Sequence, residues 1–208
     1  MMDRVEQWKD KISYQSGLLA AACGLAALLL VGTEVVTRPV IAMRISEDQN
    51  ALLDQVLGGK LYANDVFRDD HQVTFQGQIF HIYEVKNAQG QLTHHVIKGD
   101  EEGYSGPIKY LIGVDLNGVI QGVRIISHTE TPGLGDKIEL EKSNWVLSFN
   151  QRSLRNTPVW AVKKDGGDFD QFSGATITPR SVVRGIHKAM SALSEYQGMH
   201  QAQGESHE

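Results

Sequence analysis

The stretch Ile108-Lys109-Tyr110-Leu111-Ile112-Gly113-Val114-Asp115-Leu116-Asn117-Gly118-Val119-Ile120-Gln121-Gly122-Val123-Arg124-Ile125-Ile126-Ser127 decides the fold. Two apolar-rich, β-prone runs flank Leu116-Asn117-Gly118, and Asn-Gly between such runs is a strong short-range hairpin signal. The spacing predicts antiparallel strands over 108–115 and 119–127. Upstream, period two also runs through 79–86 and 92–98 around the turn Asn87-Ala88-Gln89-Gly90, which predicts a second hairpin. His94 and His95 are adjacent on that strand and so point to opposite faces, and they make no paired metal site by themselves. The other histidines are scattered, and no metal is expected.

Two loops sit at one end of the 108–127 hairpin. Gly103-Tyr104-Ser105-Gly106-Pro107 leads in, and His128-Thr129-Glu130-Thr131-Pro132-Gly133-Leu134-Gly135 leads out. They form one wall of a pocket or are ordinary turns, and local sequence leaves both readings open. Beyond them the pattern predicts a helix over 136–148, with Ile138, Leu140, Trp145 and Val146 partly buried, a short strand over 159–162 and a turn over 163–167.

Asp168-Phe169-Asp170 then enters Gln171-Phe172-Ser173-Gly174-Ala175-Thr176, followed by Ile177-Thr178-Pro179. Thr178 is a favourable N-cap, and Pro179 suits the first helical position, where a missing N–H costs nothing. Val183, Ile186, Met190 and Leu193 follow at helical spacing, with Arg180, Arg184 and Lys188 among the polar positions, which predicts a helix over 179–196. Ser173-Gly174-Ala175-Thr176 thus feeds a helix N-terminus, whose free N–H groups and positive dipole end suit a phosphate. Gly174 permits close backbone approach to a ligand, Ser173 and Ala175 leave room, and Thr176 offers a hydroxyl. A Ser/Thr-rich helix cap with no ligand is the other reading, and local physics alone does not exclude it.

The N-terminal third has a different character. Residues 1–11 are polar, 12–33 carry no charge, and 17–32 are almost wholly apolar. That length approaches the roughly 20 residues that cross a bilayer core, with Trp8 and Tyr14 suited to one interface. The run is long for a signal peptide, and no clear Ala-x-Ala site follows. The expectation is an uncleaved transmembrane helix over 12–36 behind a cytoplasmic segment 1–11. Arg4, Lys9 and Lys11 precede the span, against Arg38 and Arg44 after it, which favours the larger domain on the outer face. Ser46-Glu47-Asp48-Gln49 has the form of a capping box. Leu52, Leu53, Val56 and Leu57 then supply an apolar face, and Gly58-Gly59 ends the helix. A linker and amphipathic helix over 37–58 would therefore lead into a domain over 59–197. The alternative, a helix lying on the membrane, is disfavoured by its acidic polar face. The polar tail 198–208 is expected to be disordered. Hairpin strands with helices at either end give an α+β domain around an antiparallel sheet.

The formal net charge is −5 with dispersed Lys and Arg, which excludes the clustered basic surface of a nucleic-acid binder. Cys23 is the only cysteine and lies in the apolar run, so a disulfide framework, a Cys-based zinc site and an iron–sulfur cluster are excluded. Any redox centre must be an organic cofactor or a metal held without thiolates.

These residues together resemble the G subunit of the Rnf (Rsx) ion-translocating electron-transport complex. The resemblance covers essentially the whole chain: the N-terminal span, the 128–135 loop, and Asp170 through Thr176, which matches the family's flavinylation signature of Asp, two variable residues, Ser or Thr, Gly, Ala and Thr. The C subunit of the sodium-pumping NADH:quinone reductase carries a similar motif and is typically longer. The resemblance implies FMN joined through its phosphate to the hydroxyl of Thr176 by a separate flavin transferase, with Ser173, Gly174 and Ala175 completing the motif. It further implies flavin contacts at Glu130, Thr131, Pro132, Leu134 and Gly135, and at Tyr104 and Ser105 in the preceding loop. The phosphodiester would keep one negative charge, suited to the helix N-terminus. Asp170 orients Thr176 or the transferase's metal, or merely caps the loop, and its role stays open. With no acid–base pair or nucleophilic triad, this protein would relay electrons, with no catalytic residue of its own, between other subunits of the complex. The whole complex, in a bacterial inner membrane with this domain periplasmic, would couple NADH/ferredoxin-type electron transfer to cation transport. A membrane-anchored FMN-binding sensor or regulatory module is the alternative.

Overall fold

A computed structural model describes residues 12–60 and 62–205. The expected segment 1–11, with Trp8, and residues 206–208 of the tail lie outside the described residues. The chain forms two compact units, 1–50 and 51–208.

Within the first unit, Tyr14–Arg38 is helical, 25 residues long with mean hydropathy 2.1, and none of it is buried. Its threonine hydroxyls are satisfied within the helix: Thr33 donates to the Leu29 carbonyl at 2.9 Å and Thr37 to the Thr33 carbonyl at 2.8 Å. Glu34 and Arg38 pair one turn apart. The span belongs to a single helix, α1 (Ile12–Leu57, 46 residues). This corrects the expectation of a linker and a separate helix beginning near Ser46. A capping box is needed where N–H groups lack partners, whereas here the preceding turns already supply them, and extending a helix is easier than nucleating a new one. The end is as expected, with Gly58 and Gly59 at positive φ and the Gly59 N–H donating to the Asp54 carbonyl at 2.9 Å.

The second unit is built on five antiparallel strands in chain order: β1 (His71–Phe75), β2 (Gln78–Lys86), β3 (Leu92–Glu102), β4 (Pro107–Asp115) and β5 (Ile120–Ser127). The Asn117-Gly118 turn joins β4 to β5, with Asp115 Oδ1 accepting the N–H groups of Asn117 and Val119 at 2.9 Å. β1 lies outside the expected hairpins. Its only buried residue is Val73, and it joins β2 through Gln76 and Gly77, both at positive φ, the geometry of a tight hairpin turn.

Both sheet faces are covered. On one, Phe80, Ile82, Ile97, Ile108, Tyr110, Ile112 and Val114 pack with Val182, Val183, Ile186, Ala189, Met190 and Leu193 of α2 (Ile177–Glu205). On the other, Leu111, Tyr83, Val85 and Val96 pack with Leu53, Val56 and Leu57. Gly113 and Gly122 are paired across β4 and β5, and a Cβ on either would run into the backbone of Val56 or Gln55. The residues that weaken two strands therefore let the helix end seat directly on the sheet.

Three expectations need correction. Residues 136–148 form no α-helix but two 3₁₀ segments, Asp136–Ile138 and Asn144–Phe149. The Ser143 side chain accepts the Trp145 N–H at 3.0 Å and restarts the chain, turning Trp145, Val146 and Phe149 into the core. Residues 159–162 form no strand. Val162 makes one bridge to Phe169 and immediately turns into the 3₁₀ segment Lys163–Asp165, its carbonyl accepting from Asp165 at 2.8 Å. Finally, α2 begins two residues before Pro179 and continues to Glu205, through much of the expected disordered tail. Gln, Met and Ala in 197–203 extend an established helix readily.

Candidate functional site

Three loops meet at the head of α2. The 103–106 and 128–135 loops come from the ends of β3, β4 and β5, and 173–178 leads into the helix. Between them lies a cavity of about 400 Å³ lined by Tyr104, Glu130, Thr131, Leu134, Gly135 and the run 174–178. Its apolar side includes the exposed side chains of Tyr104, Leu134 and Ile177.

The motif loop is held from beneath. Phe172 is buried and packs edge-on against Trp145, ring centroids 5.1 Å apart, while the Trp145 indole N–H donates to the Asp170 carbonyl at 2.7 Å. The Ala175 N–H returns to the Phe172 carbonyl at 3.4 Å, closing a turn with Gly174 at φ +85. Thr176 is the residue immediately before α2, the N-cap position, and is half-buried on the cavity wall. Just behind it, Arg180 forms two bonds to Asp165, at 2.5 and 2.8 Å, and fixes the helix start to the 163–165 turn.

Glu130 ties the loops together. It is buried, and its Oε1 accepts the N–H groups of Tyr104 at 2.8 Å and Ser105 at 3.0 Å. Its Oε2 accepts from the Thr178 hydroxyl. Thr178 is therefore not the helix cap expected of it but a buried brace inside the first turn. On the same loop, His128 accepts the Glu130 N–H at 3.0 Å through Nδ1, and its Nε2 lies 2.6 Å from Glu139. Thr129 donates to the Ser105 carbonyl at 3.1 Å.

Of the residues singled out in sequence, Thr176, Gly174, Ala175, Glu130, Thr131, Leu134, Gly135 and Tyr104 share the cavity wall. Ser173, Pro132 and Ser105 stand beside it; all three are exposed, and Ser105 contributes through its backbone. Asp170 is exposed, and its carboxylate pairs with Lys163 at 2.6 Å. Ile177 and Thr178 line the cavity without having been singled out for it. The signal available in sequence was their place between Thr176 and the helix start expected at Pro179, where a group seated on the N-terminus must touch them.

The FMN-binding domain family matches residues 103–191, which contain all three loops. The G subunit of the ion-translocating oxidoreductase complex of Stutzerimonas stutzeri is 44% identical over 189 residues, covering 89% of this chain and 82% of the relative. The protein of the same name from Escherichia coli (strain K12) is 42% identical over 175 residues, covering 82% of this chain and 83% of that one. Among solved structures, the C subunit of the Na(+)-translocating NADH-quinone reductase from Parabacteroides distasonis is 21% identical with a TM-score of 0.49, covering 76% of this chain and 94% of that one.

Proposed function

Since the chain belongs to the family of G subunits of ion-translocating oxidoreductase complexes, we propose that it is a flavin relay whose FMN is joined through its phosphate to the hydroxyl of Thr176. FMN is its cofactor and, when bound, supplies one- and two-electron chemistry.

The residues present fit that group. Thr176 puts a hydroxyl at the mouth of α2, whose first N–H groups have no intrahelical acceptor and whose dipole favours a singly charged diester. Gly174 carries no side chain to block the approach, and the positive φ it adopts is open to glycine without strain. Tyr104, Leu134 and Ile177 offer apolar surface against which a ring system can lie. The observation that carries the reading is the position of Thr176, a hydroxyl-bearing N-cap on the wall of a cavity formed by three loops.

In this reading a separate flavin transferase installs the group, reaching Thr176 on its loop. Electrons enter from one neighbouring subunit and leave to another, and the complex couples electron transfer of the NADH/ferredoxin type to cation transport. The domain works on the periplasmic face of a bacterial inner membrane, where a diester prevents loss of the cofactor. The full chain, co-produced with a flavin transferase and run on a denaturing gel, is expected to give an acid-stable fluorescent band, and Thr176→Ala a dark one. A bright Thr176→Ala band rejects the attachment. In the purified complex, flavin reduction much slower than turnover rejects the relay.

A further inference from the structure

Among the described residues, Glu130 is the one carboxylate on the cavity wall, and it is 4% exposed. Every partner it has is a donor: two backbone N–H groups on Oε1 and the Thr178 hydroxyl on Oε2. That is the environment of an ionised, acceptor-only carboxylate. Among the described residues, no Lys, Arg or His side chain stands within ion-pairing distance of it. The backbone closes around it too. A Cβ at Gly103 would strike Oε1, and one at Gly135 would lie 3.0 Å from Oε2. A buried charge without a counter-ion is costly, and a neutral amide could brace the same loops. The charge itself therefore calls for a role.

We propose that Glu130 is the positioning residue of the flavin cavity and also its fixed negative charge, holding three loops together and lowering the reduction potential of the flavin between them. This rests on the reading that the cavity holds FMN. Uptake of two electrons and one proton adds one net negative charge there. A like charge in a wall screened from water opposes that step.

The test is a dithionite titration of the flavin-loaded full chain, the reductant supplying both electrons. Glu130→Gln keeps the shape and removes the charge. It is expected to favour reduction about tenfold, a midpoint about 30 mV higher for a two-electron couple. Glu130→Asp keeps the charge and is expected to stay within about threefold of the parent. A loaded Gln variant with an unchanged midpoint overturns the proposal. So does an Asp variant that moves as far as the Gln variant, since loop rearrangement would then set the potential. If Glu130→Gln is isolated without flavin, Thr178→Val decides. It removes a donor and leaves the charge less screened, so the midpoint falls, and an unchanged or raised midpoint overturns the proposal. Flavin persisting on Thr176→Ala would end the attachment reading alone and leave this comparison intact.

Discussion

A methyl group at Gly113 has no space to occupy, because its Cβ would overlap the Val56 carbonyl of the helix end seated on the sheet. At Gly118, in the turn of the same hairpin, φ is +76 and a Cβ would meet nothing within 4 Å. The two glycines therefore make opposite predictions. Gly113→Ala must push α1 off β4 or bend the strand, and overpacking of this kind costs about 1–3 kcal/mol. Gly118→Asn keeps a residue that tolerates the left-handed region and is expected to change stability by no more than about 0.5 kcal/mol. Urea unfolding of the two variants checks this, with the midpoint lowered only for Gly113→Ala. The turn role of Gly118 is legible in sequence from its Asn neighbour. The packing role of Gly113 is not, since nothing local to the strand says which helix will cross it.

At the scale of elements, the strands 78–86, 92–102, 107–115 and 120–127 and the existence of α2 were legible because each carries its own period, while the Thr178-Pro179 punctuation set the helix start two residues late. What failed was set by distant contacts. The 136–149 segment has helix-like spacing at Ile138, Leu140, Trp145 and Val146, yet Trp145 and Phe149 are drawn onto Phe172 and Phe169 and the chain breaks into 3₁₀ turns to reach them. The site followed the same rule. The loops and Thr176 are visible as motifs, whereas the Glu130–Thr178 bond spans 48 positions and has no local signature. The packing of α2 on the sheet has a pH consequence. Burial pushes His95 below its ordinary pKa of 6.5, against the opposing pull of Glu84, and His71, His94 and His200 lower it further. Burial also lowers His94 and His187. The folded state thus holds these rings neutral, while the unfolded chain takes up protons as pH falls below about 6.5. Stability is full above that value and declines beneath it. Glu84, held low by its bond to Lys86, contributes stability that is lost only as pH falls below 4.5, outside this window. Thermal unfolding at pH 7.5, 6.5 and 5.5 is expected to show a falling Tm between the last two, with a shallower fall in His95→Phe. Equal slopes for the two proteins would remove His95 from the account.

For the whole molecule, the question is what an exposed apolar helix and a flavin domain gain from sharing a chain. Tyr14–Arg38 is long enough to cross a bilayer, and its mean hydropathy of 2.1 leaves it no comfortable place in water. A domain tethered in this way shares the membrane plane with the subunits it must meet, which replaces a search in three dimensions by one in two. The value of a covalent flavin then depends on which side the domain occupies. In the cytoplasm, lost FMN could be rebound from a pool, and a diester would add little. Outside it, a lost cofactor is gone, and the proposed attachment through Thr176 would preserve the relay. Three Lys or Arg residues before the expected 12–36 span and two after it, Arg38 and Arg44, favour the outer side. A reporter that is active only outside the cytoplasm, fused after Glu208 in the full chain, is therefore expected to be active, and its cytoplasm-active counterpart silent. The reverse pattern would put the flavin where replacement is easy, and retention could no longer explain why a threonine at the head of α2 should carry it.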